Sequence, residues 1–290
     1  MVNLLVQAVI SGILLGTIYG LIGAGLNILY GVMRVVNFAH GEFLMVAAYM
    51  TYWAGVLYGI DPLKLLALLI PLFFILGLLT YYITVPRLLK SEDPEMASFL
   101  TFYGVSLIIT ALVLITWGAD PRALSFPYGR VSINVGLFYL PKGRLITFGV
   151  ALITALALAL FLYRTYPGKA IRAVIQNREA VEIMGIDSHR ISAISFGLGL
   201  ALVAVTGALV PLAFPSISPW MGSSYTLVAF VVIVLGGLGN PLGALLGGLV
   251  FGLAENISTV FIPLALSPVV SFIILILVIM VRPQGFLGKA

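Results

Sequence analysis

The run LLVQAVISGILLGTIYGLIGAGLNILY, from Leu4 to Tyr30, contains no charged side chain. A bilayer core about 30 Å thick is crossed by a helix of about 20 apolar residues, so this run is long enough to span a membrane. No basic segment precedes it, and it is too long for the apolar part of a secretory signal peptide. We therefore interpret it as a retained transmembrane helix.

The remainder of the chain is equally apolar. Over 290 residues, 61% are hydrophobic and 9% are charged, and the mean hydropathy is +1.17. Soluble domains have about 25% charged residues, so this chain cannot cover a water-facing surface. The apolar runs are long and continuous, which excludes the alternating strands of a membrane barrel. We expect one membrane domain over residues 1–290, an all-α polytopic bundle of about 8 spans. The predicted spans are 4–30, 42–60, 64–85, 98–118, 145–163, 191–211, a broken segment at 225–258, and 264–281.

The basic residues alternate between the two sides of these spans. Ten lie on one side: Arg34, Arg87, Lys90, Arg164, Lys169, Arg172, Arg178, Arg190, Arg282 and Lys289. Five lie on the other: Lys64, Arg122, Arg130, Lys142 and Arg144. Because basic loops are retained in the cytoplasm, this excess predicts an external N-terminus and a cytoplasmic C-terminus.

Two places interrupt the helical pattern, and each adjoins a ladder of glycines. The ladders are Gly12, Gly16, Gly20 and Gly239, Gly243, Gly247, whose spacing is typical of close helix packing. The first interruption, 31–41, precedes Glu42, and the second reads GGLGNP from Gly236. Unwound backbone at membrane depth is tolerated where it lines a cavity, so broken helices point to a substrate path. The alternative is that the polar groups only hold the broken helix ends.

Signals for enzymes are weak in this sequence. The internal Gly168-Lys169 is followed by Ala170, which does not fit a phosphate-binding P-loop, so the chain should not bind ATP itself. The only histidines are His40 and His189, and the chain has no cysteine, so we expect no metal site and no catalytic triad. Residues 167–169 read as a turn.

The stretch NREAVEIMGIDSHRIS, from Asn177 to Ser192, combines a small apolar cluster with several charges. This pattern predicts a short amphipathic helix on the cytoplasmic surface. Such a helix either lies in the lipid interface or docks into the groove of a soluble partner.

Longer motifs resemble those of a known family. They are VNFAHGEFLMVAAY (Val36 to Tyr49), GGLGNPLGALLGG (Gly236 to Gly248) and VRPQGFLG (Val281 to Gly288). They look like the permeases of branched-chain amino-acid ABC importers, and the likeness covers nearly the whole chain. Glu179, Ala180 and Gly185 also resemble the EAA-type loop that docks on the ATPase, although Val181 replaces its second Ala and the later Leu-Pro is missing.

The resemblance implies a permease that moves leucine-like amino acids into a bacterial or archaeal cytoplasm across the inner membrane. It implies no cofactor on this chain, ATP and Mg on partner ATPase subunits, a second permease subunit, and an extracytoplasmic solute-binding protein. The candidate path residues are Asn37, Phe38, His40, Gly41, Glu42, Gly239, Asn240 and Glu255. The candidate ATPase coupling helix carries Arg178, Glu179, Ala180, Glu182, Met184, Gly185 and Ile186.

Other functions stay open at this point. Urea and amide permeases of the same family have similar motifs. A secondary transporter driven by an ion gradient would also have broken helices and would need midplane carboxylates, for which Glu42 and Glu255 are the candidates. An intramembrane enzyme would need a catalytic pair within two helices, and we find none.

Overall fold

The structure is a computed structural model that describes residues 1–123, 126, 131–135, 138–263 and 266–288. Lys289, Arg130 and the first two residues of the predicted span 264–281 lie outside the described residues. The helices are α1 (Val2–Met33), α2 (His40–Tyr58), α3 (Pro62–Leu88), α4 (Pro94–Trp117), α5 (Lys142–Arg164), α6 (Tyr166–Gln176), α7 (Arg178–Ile183), α8 (Ser188–Ala213), α9 (Met221–Gly236), α10 (Pro241–Ser258) and α11 (Ser267–Val281). A two-stranded antiparallel hairpin, β1 (Ser132–Val135) and β2 (Phe138–Pro141), lies between α4 and α5.

The predicted helical bundle is confirmed, with ends that differ from the predicted spans by a few residues. Six described helices are long and apolar enough to cross a bilayer by length and composition: α1, α3, α4, α5, α8 and α10. The count of about eight crossings stays a prediction. The broken segment 225–258 resolves into α9 and α10, which pack against each other as a helical hairpin.

Local sequence signals account for most helix starts. Asp61, Asp93, Asn177, Asp187 and Asn240 each accept a hydrogen bond from a backbone N–H in the first turn that follows. Such caps satisfy donors that have no partner within the helix. Each cap therefore marks the residue at which a new helix begins.

The helices form a buried centre and an outer layer. In its most apolar stretch α8 is 83% buried, whereas the corresponding figure for α4 is 17%. Helix α8 packs most extensively on α3, and α1 packs most extensively on α10. The outer helices α3, α4 and α5 therefore lie around a core built from α1, α2 and α8.

The glycines of α1 serve close packing, as their spacing predicted. A Cβ built on Gly12 would lie 2.9 Å from the Gly252 carbonyl oxygen, and one built on Gly16 would lie 2.9 Å from that of Gly248. The two helices therefore run antiparallel with their backbones in contact.

The second predicted ladder is wrong in its membership. Gly239 precedes α10 in a left-handed conformation (φ +76°), because the Asn240 cap starts the helix one residue later. Gly243 and Gly247 face Gly236 of α9, while Gly248 and Gly252 face α1. Spacing by four identified the helix but not the residues that meet α1.

Contacts at the helix ends define two faces of the bundle. On the first, which we name the α6–α7 face, the end of α1 meets α6, with Gly31 beside Ile175. On the second, which we name the hairpin face, Gln7 at the start of α1 exchanges two hydrogen bonds with the Tyr139 backbone of β2, at 2.8 and 3.2 Å. The nine described residues of the ten-charge group belong to helix ends and loops on the α6–α7 face, and the four described residues of the other group belong to the hairpin face.

Two local interpretations need correction. Residues 167–169 do not form a turn after α5, because Thr165 caps Gly168 and Pro167 stands in the first turn of α6. The segment 118–144 is rich in Pro, Gly and aromatic residues, from which we expected an ordered surface loop, and it contains the β-hairpin.

Candidate functional site

The first helix break turns the chain back into the bundle. Helix α1 ends at Met33, Arg34 adopts a left-handed conformation (φ 51°), and α2 starts six residues later at His40. His40 lies beside the middle of α1, where its Nε2 donates to the Ile22 carbonyl oxygen at 3.1 Å. The segment 34–39 is therefore non-helical backbone at depth, and Val35, Asn37 and Ala39 are fully buried.

Side chains from three elements satisfy the backbone of this segment, which we name the first break (34–39). Ser98 Oγ of α4 accepts from Val36 N at 3.0 Å. Asn37 Oδ1 accepts from Ala39 N at 3.1 Å. Since unpaired backbone groups cost several kcal/mol in an apolar medium, these contacts are a condition for the break.

Thr226 of α9 supports the start of α2. Its Oγ1 accepts from Gly41 N at 2.9 Å and lies 3.3 Å from both the Phe38 carbonyl oxygen and Glu42 Oε2. Gly41 is needed for this approach, because a Cβ there would lie 2.6 Å from the Thr226 backbone nitrogen. The structure thus brings three of the predicted path residues, Phe38, Gly41 and Glu42, against α9, while His40 bonds to α1.

Two polar atoms at the first break have no hydrogen-bond partner within the described part of the chain. They are Asn37 Nδ2, a donor, and His40 Nδ1, and both residues are fully buried. With Nε2 donating to a carbonyl, the neutral imidazole leaves Nδ1 as an acceptor. One spare donor and one spare acceptor thus lie in an otherwise satisfied segment.

An aromatic cluster flanks the same segment. The Phe38 ring stacks on Phe230 at 5.7 Å between centroids and meets Phe99 and Tyr103 edge-on at 5.1 and 5.9 Å. These rings bring α4 and α9 to the first break and provide an apolar surface beside the polar groups.

The second break, residues 237–240, is held by one side chain that the sequence did not point to. Asn27 of α1 is fully buried. Its Nδ2 donates to the carbonyl oxygens of Gly237 and Asn240 at 3.0 and 2.9 Å, and its Oδ1 accepts from Gly239 N at 2.6 Å. Asn240 itself caps α10 and donates to the Leu287 carbonyl oxygen at 3.1 Å. Every polar side-chain atom of Asn27 and Asn240 is engaged.

Glu255 lies in α10 and has different hydrogen-bond partners from Glu42. It is half-buried and hydrogen-bonded to Tyr19 of α1, with Tyr225 nearby. Glu42 bonds to Thr226 of α9, the residue that follows Tyr225. The surroundings of the two carboxylates therefore meet at neighbouring residues of α9.

The predicted surface helix is present but shorter than expected. Asn177 caps α7, and Arg178 forms an ion pair with Glu182 at 3.1 Å. The Ser188 hydroxyl and the Arg178 guanidinium both donate hydrogen bonds to the Glu182 carboxylate. These bonds, that of Ser188 most of all, lower the pKa of the Glu182 carboxyl. The helix ends at Ile183, so Met184, Gly185 and Ile186 follow it instead of belonging to it.

The exposed side of α7 is apolar at its end. Ile183 is 87% exposed and Met184 67% exposed, while Val181 is buried against the bundle. Gly185 is left-handed (φ +80°), and no atom lies within 4 Å of the position of a Cβ. Glu179 and Ala180 are also exposed. This segment presents two apolar side chains to its surroundings.

Sequence reasoning missed Asn27, Thr226 and Tyr19. Asn27 and Tyr19 lie inside an apolar run, and Thr226 follows the polar residues 223–225, so no local pattern reveals a partner about 200 residues away. Asn27 alone carried a signal, because an amide within a membrane helix requires partners. Within the described ranges, no group of three His, Asp or Glu side chains could hold a metal ion.

Helices long enough to span a bilayer, with a first break at depth and a second break at the surface of the bundle, each supported by buried polar side chains, define a polytopic membrane transport protein. The sequence matches the family described as the branched-chain amino acid transport system / permease component over residues 8–279, and the chain belongs to that family.

Curated relatives agree along the full length. The chain is 31% identical to the high-affinity branched-chain amino acid transport system permease protein BraD of Pseudomonas aeruginosa, over 98% of this chain and 95% of BraD. It is 30% identical to the high-affinity branched-chain amino acid transport system permease protein LivH of Salmonella typhimurium, with the same coverage. It is 29% identical to the probable branched-chain amino acid transport permease protein LivH of Methanocaldococcus jannaschii, over 92% of this chain and 88% of that protein. No solved structure matches with comparable significance.

Proposed function

We propose that this chain is the membrane-spanning permease subunit of an ABC importer that carries branched-chain amino acids into the cytoplasm. ATP is hydrolysed by partner ATPase subunits, and a second permease subunit and an extracytoplasmic solute-binding protein complete the importer. The observation that carries the proposal is the 31% identity to BraD over 98% of the chain. The two supported breaks agree with a transport path through the bundle.

We assign the α6–α7 face to the cytoplasm. It holds nine of the described Lys and Arg residues against four on the hairpin face. Basic loops are retained on the cytoplasmic side of the membrane. The N-terminus then lies outside, and the hairpin face meets the solute-binding protein.

The first break offers chemistry that matches an amino-acid zwitterion. Asn37 Nδ2 is a spare donor for a carboxylate. His40 Nδ1 and the Glu42 carboxylate are acceptors for an ammonium group. The ring of Phe38 and its aromatic neighbours suit an apolar side chain. The fully buried atoms become accessible when the importer changes conformation, and ligand binding selects that state.

Gly239, Asn240 and Glu255 take supporting roles in this proposal. Asn27 and the cap of α10 engage the first two, and Tyr19 engages the carboxyl of Glu255. These three residues hold helix ends beside the path. A buried carboxyl in a membrane is stable when it is paired in this way.

The segment from α7 to Ile186 docks on the ATPase. Ile183 and Met184 provide apolar contacts within a charged rim that contains Arg178, Glu179 and Glu182. A few exposed apolar side chains on a short helix fit a groove of a soluble partner. Movement of the ATPase pair then reaches the bundle through α7 and α8.

Purification of the tagged protein in mild detergent tests the proposal directly. We expect a soluble ATPase to co-purify and to hydrolyse ATP. A lone chain whose uptake activity follows a proton gradient would overturn the importer assignment in favour of a gradient-driven carrier. Competition by leucine, isoleucine and valine, and not by urea or short amides, is expected in vesicle uptake.

Gly185→Trp tests the docking segment. The space around Gly185 is open, so the bulky side chain meets no neighbour within the chain and should block only an external partner. A non-glycine residue in the left-handed conformation costs about 1–2 kcal/mol. Gly185→Asn is the control for this backbone cost, because asparagine is the non-glycine residue that tolerates the conformation best. Uptake should be lost in the Trp variant and largely kept in the Asn variant. Normal uptake by Gly185→Trp would contradict docking at this position.

A further inference from the structure

An open cavity of about 800 Å³ lies on the α6–α7 face beside the second break. It is bounded by the end of α1, the end of α5, α6 and the start of α10. Its lining comprises Arg34, Leu162, Tyr163, Arg172, Ile175, Gln176, Leu238, Gly239, Asn240, Pro241, Leu242 and Leu287. The cavity shares Arg34 with the first break and Gly239 and Asn240 with the second, and none of the substrate contacts proposed above lies in its lining.

The charge of this lining has one sign. Arg34 and Arg172 contribute guanidinium groups, and no lining residue is acidic. Neither arginine forms an ion pair with a carboxylate in the described part of the chain, where the two ion pairs are Arg178 with Glu182 and Arg190 with Asp187. Two unpaired guanidinium groups at one cavity attract an anion.

Contacts position the Arg172 side chain and the Arg34 backbone. The Arg172 guanidinium lies over the Tyr163 ring, 4.1 Å from its centroid, which leaves the N–H edges of the group free to donate. Arg34 is the left-handed C-cap of α1, and its backbone N–H donates to the Tyr30 carbonyl oxygen at 2.7 Å. The exposed Arg34 side chain therefore starts from a fixed point at the end of α1, beside the cavity.

The start of α10 adds to the positive potential. Asn240, Pro241 and Leu242 form the first residues of this 18-residue helix and line the cavity. The N-terminal end of a helix carries partial positive charge and favours phosphate groups. Arginine geometry and helix polarity therefore select an oxyanion.

Five aliphatic side chains share the lining with the polar side chains of Gln176 and Asn240. Leu238 and Leu287 are 48% and 45% exposed, and Leu162, Ile175 and Leu242 complete the apolar wall. A small soluble anion has no apolar part to contact these side chains, whereas a phospholipid has both a phosphate and acyl chains. Basic pockets between membrane helices on the cytoplasmic side are a known form of anionic-lipid site.

We propose that this cavity binds the headgroup phosphate of an anionic phospholipid, with Arg34 and Arg172 on the phosphate and the leucines against the glycerol and the first acyl carbons. The lipid would contact α1, α6 and α10 together. Because α6 precedes the docking segment and residues 239–240 belong to the second break, the bound lipid stabilises the relative position of these elements.

The test measures lipid binding by native mass spectrometry and by thermal unfolding of the detergent-purified protein. Phosphatidylglycerol should bind and raise the melting temperature, while phosphatidylcholine should do so at least about tenfold more weakly, a difference of about 1.4 kcal/mol. The double variant Arg34→Gln, Arg172→Gln should lose this preference. The matched control Arg87→Gln, Lys90→Gln removes the same charge from the same face at exposed positions and should keep it.

Each further outcome has a defined meaning. Equal binding of phosphatidylglycerol by the double variant and the control overturns the proposal. Equal stabilisation by inorganic phosphate assigns the cavity to a soluble anion and overturns the lipid as ligand. Loss of lipid when an ATPase co-purifies assigns the arginines to that partner and also overturns it. If the double variant fails to fold, Arg172→Lys keeps a positive charge but loses the planar donor edge, and its phosphatidylglycerol preference should be weakened without being abolished.

Discussion

Both helix breaks leave backbone N–H and C=O groups without helical partners, and the two breaks satisfy these groups in different ways. At the second break, the single side chain Asn27 pairs three backbone groups of residues 237–240, and no polar atom of that side chain is left over. At the first break, Ser98, Asn37 and Thr226 share the task, and Asn37 Nδ2 and His40 Nδ1 remain without a partner in the described chain. The second break is arranged for stability, and the first retains unused hydrogen-bonding capacity at depth.

The two breaks also differ in how deeply they lie in the bundle. His40 is fully buried beside the middle of α1, whereas residues 238–240 reach the surface of the α6–α7 face. Buried and unpaired polar groups cost free energy, so they persist where function requires them. This reasoning supports the proposal that the first break contacts substrate and that the second holds helix ends.

Asn27→Ala should have the largest effect on the fold. The change leaves the Gly239 N–H unpaired, and a buried unpaired group costs about 1–3 kcal/mol. It also removes one of two hydrogen bonds from the Gly237 and Asn240 carbonyl oxygens, which keep those from Asn240 N and Ala244 N, at about 0.5–1.5 kcal/mol for each lost bond. The free energy of unfolding in mixed detergent micelles should fall by several kcal/mol. Asn256→Ala is the control, since it loses one bond to a carbonyl four residues earlier in its own helix. Equal stability of the two variants would mean that Asn27 does not hold the second break.

Gly41→Ala against Gly239→Ala compares packing at the two breaks. A Cβ on Gly41 would be forced against the Thr226 backbone, and overpacking of this kind typically costs about 1–3 kcal/mol. A Cβ on Gly239 would meet Ile175 at an ordinary 3.5 Å, so only the left-handed backbone opposes it, at about 1–2 kcal/mol. Thermal unfolding should place Gly41→Ala lower, and uptake should be lost only in that variant. The reverse order would contradict close contact between α2 and α9.

Thr226→Val should destabilise the first break by about 1–3 kcal/mol, because Gly41 N loses its acceptor. Thr226→Ser keeps the hydroxyl and should stay close to the native stability. Thr51→Val is a control for the hydroxyl itself, because Thr51 Oγ1 bonds only to a carbonyl within α2. Hydrogen exchange at Gly41 should quicken in Thr226→Val alone. Unchanged exchange there would remove Thr226 from the support of α2.

Much of the fold follows from the sequence, because the bilayer imposes a simple rule on it. Apolar runs of sufficient length become helices, and this gave most helix ends to within a few residues. The hairpin β1–β2 was missed although Ile133, Val135 and Tyr139 favour strands, since the segment read as a surface loop. Its pairing with Gln7 depends on the start of α1, which no local pattern reveals.

The candidate site was predictable only in part, for a similar reason. Asn37, His40 and Glu42 were found because polar residues interrupt an apolar pattern there. Asn27 and Thr226 do not interrupt a predicted helix, and their hydrogen-bond partners are remote in sequence. Membership of the second glycine ladder failed because a cap at Asn240, and not the spacing of four, decides where α10 begins. The roles of the site residues stay predictions, which the last comparison addresses.

Glu42→Gln should have the smallest effect on the fold and a large effect on transport. Glutamine keeps the shape and an acceptor toward Thr226, so the free energy of unfolding should change by less than about 1 kcal/mol. Loss of the negative charge should lower uptake of leucine by about tenfold or more, which corresponds to about 1.4 kcal/mol, and His40→Ala should act in the same direction. The matched change at the second break is Asn240→Ser, which retains a capping oxygen for α10 and should leave uptake nearly unchanged. If Asn240→Ser lowers uptake as much as Glu42→Gln does while both proteins remain folded, the two breaks share the path and the division of roles between them is wrong.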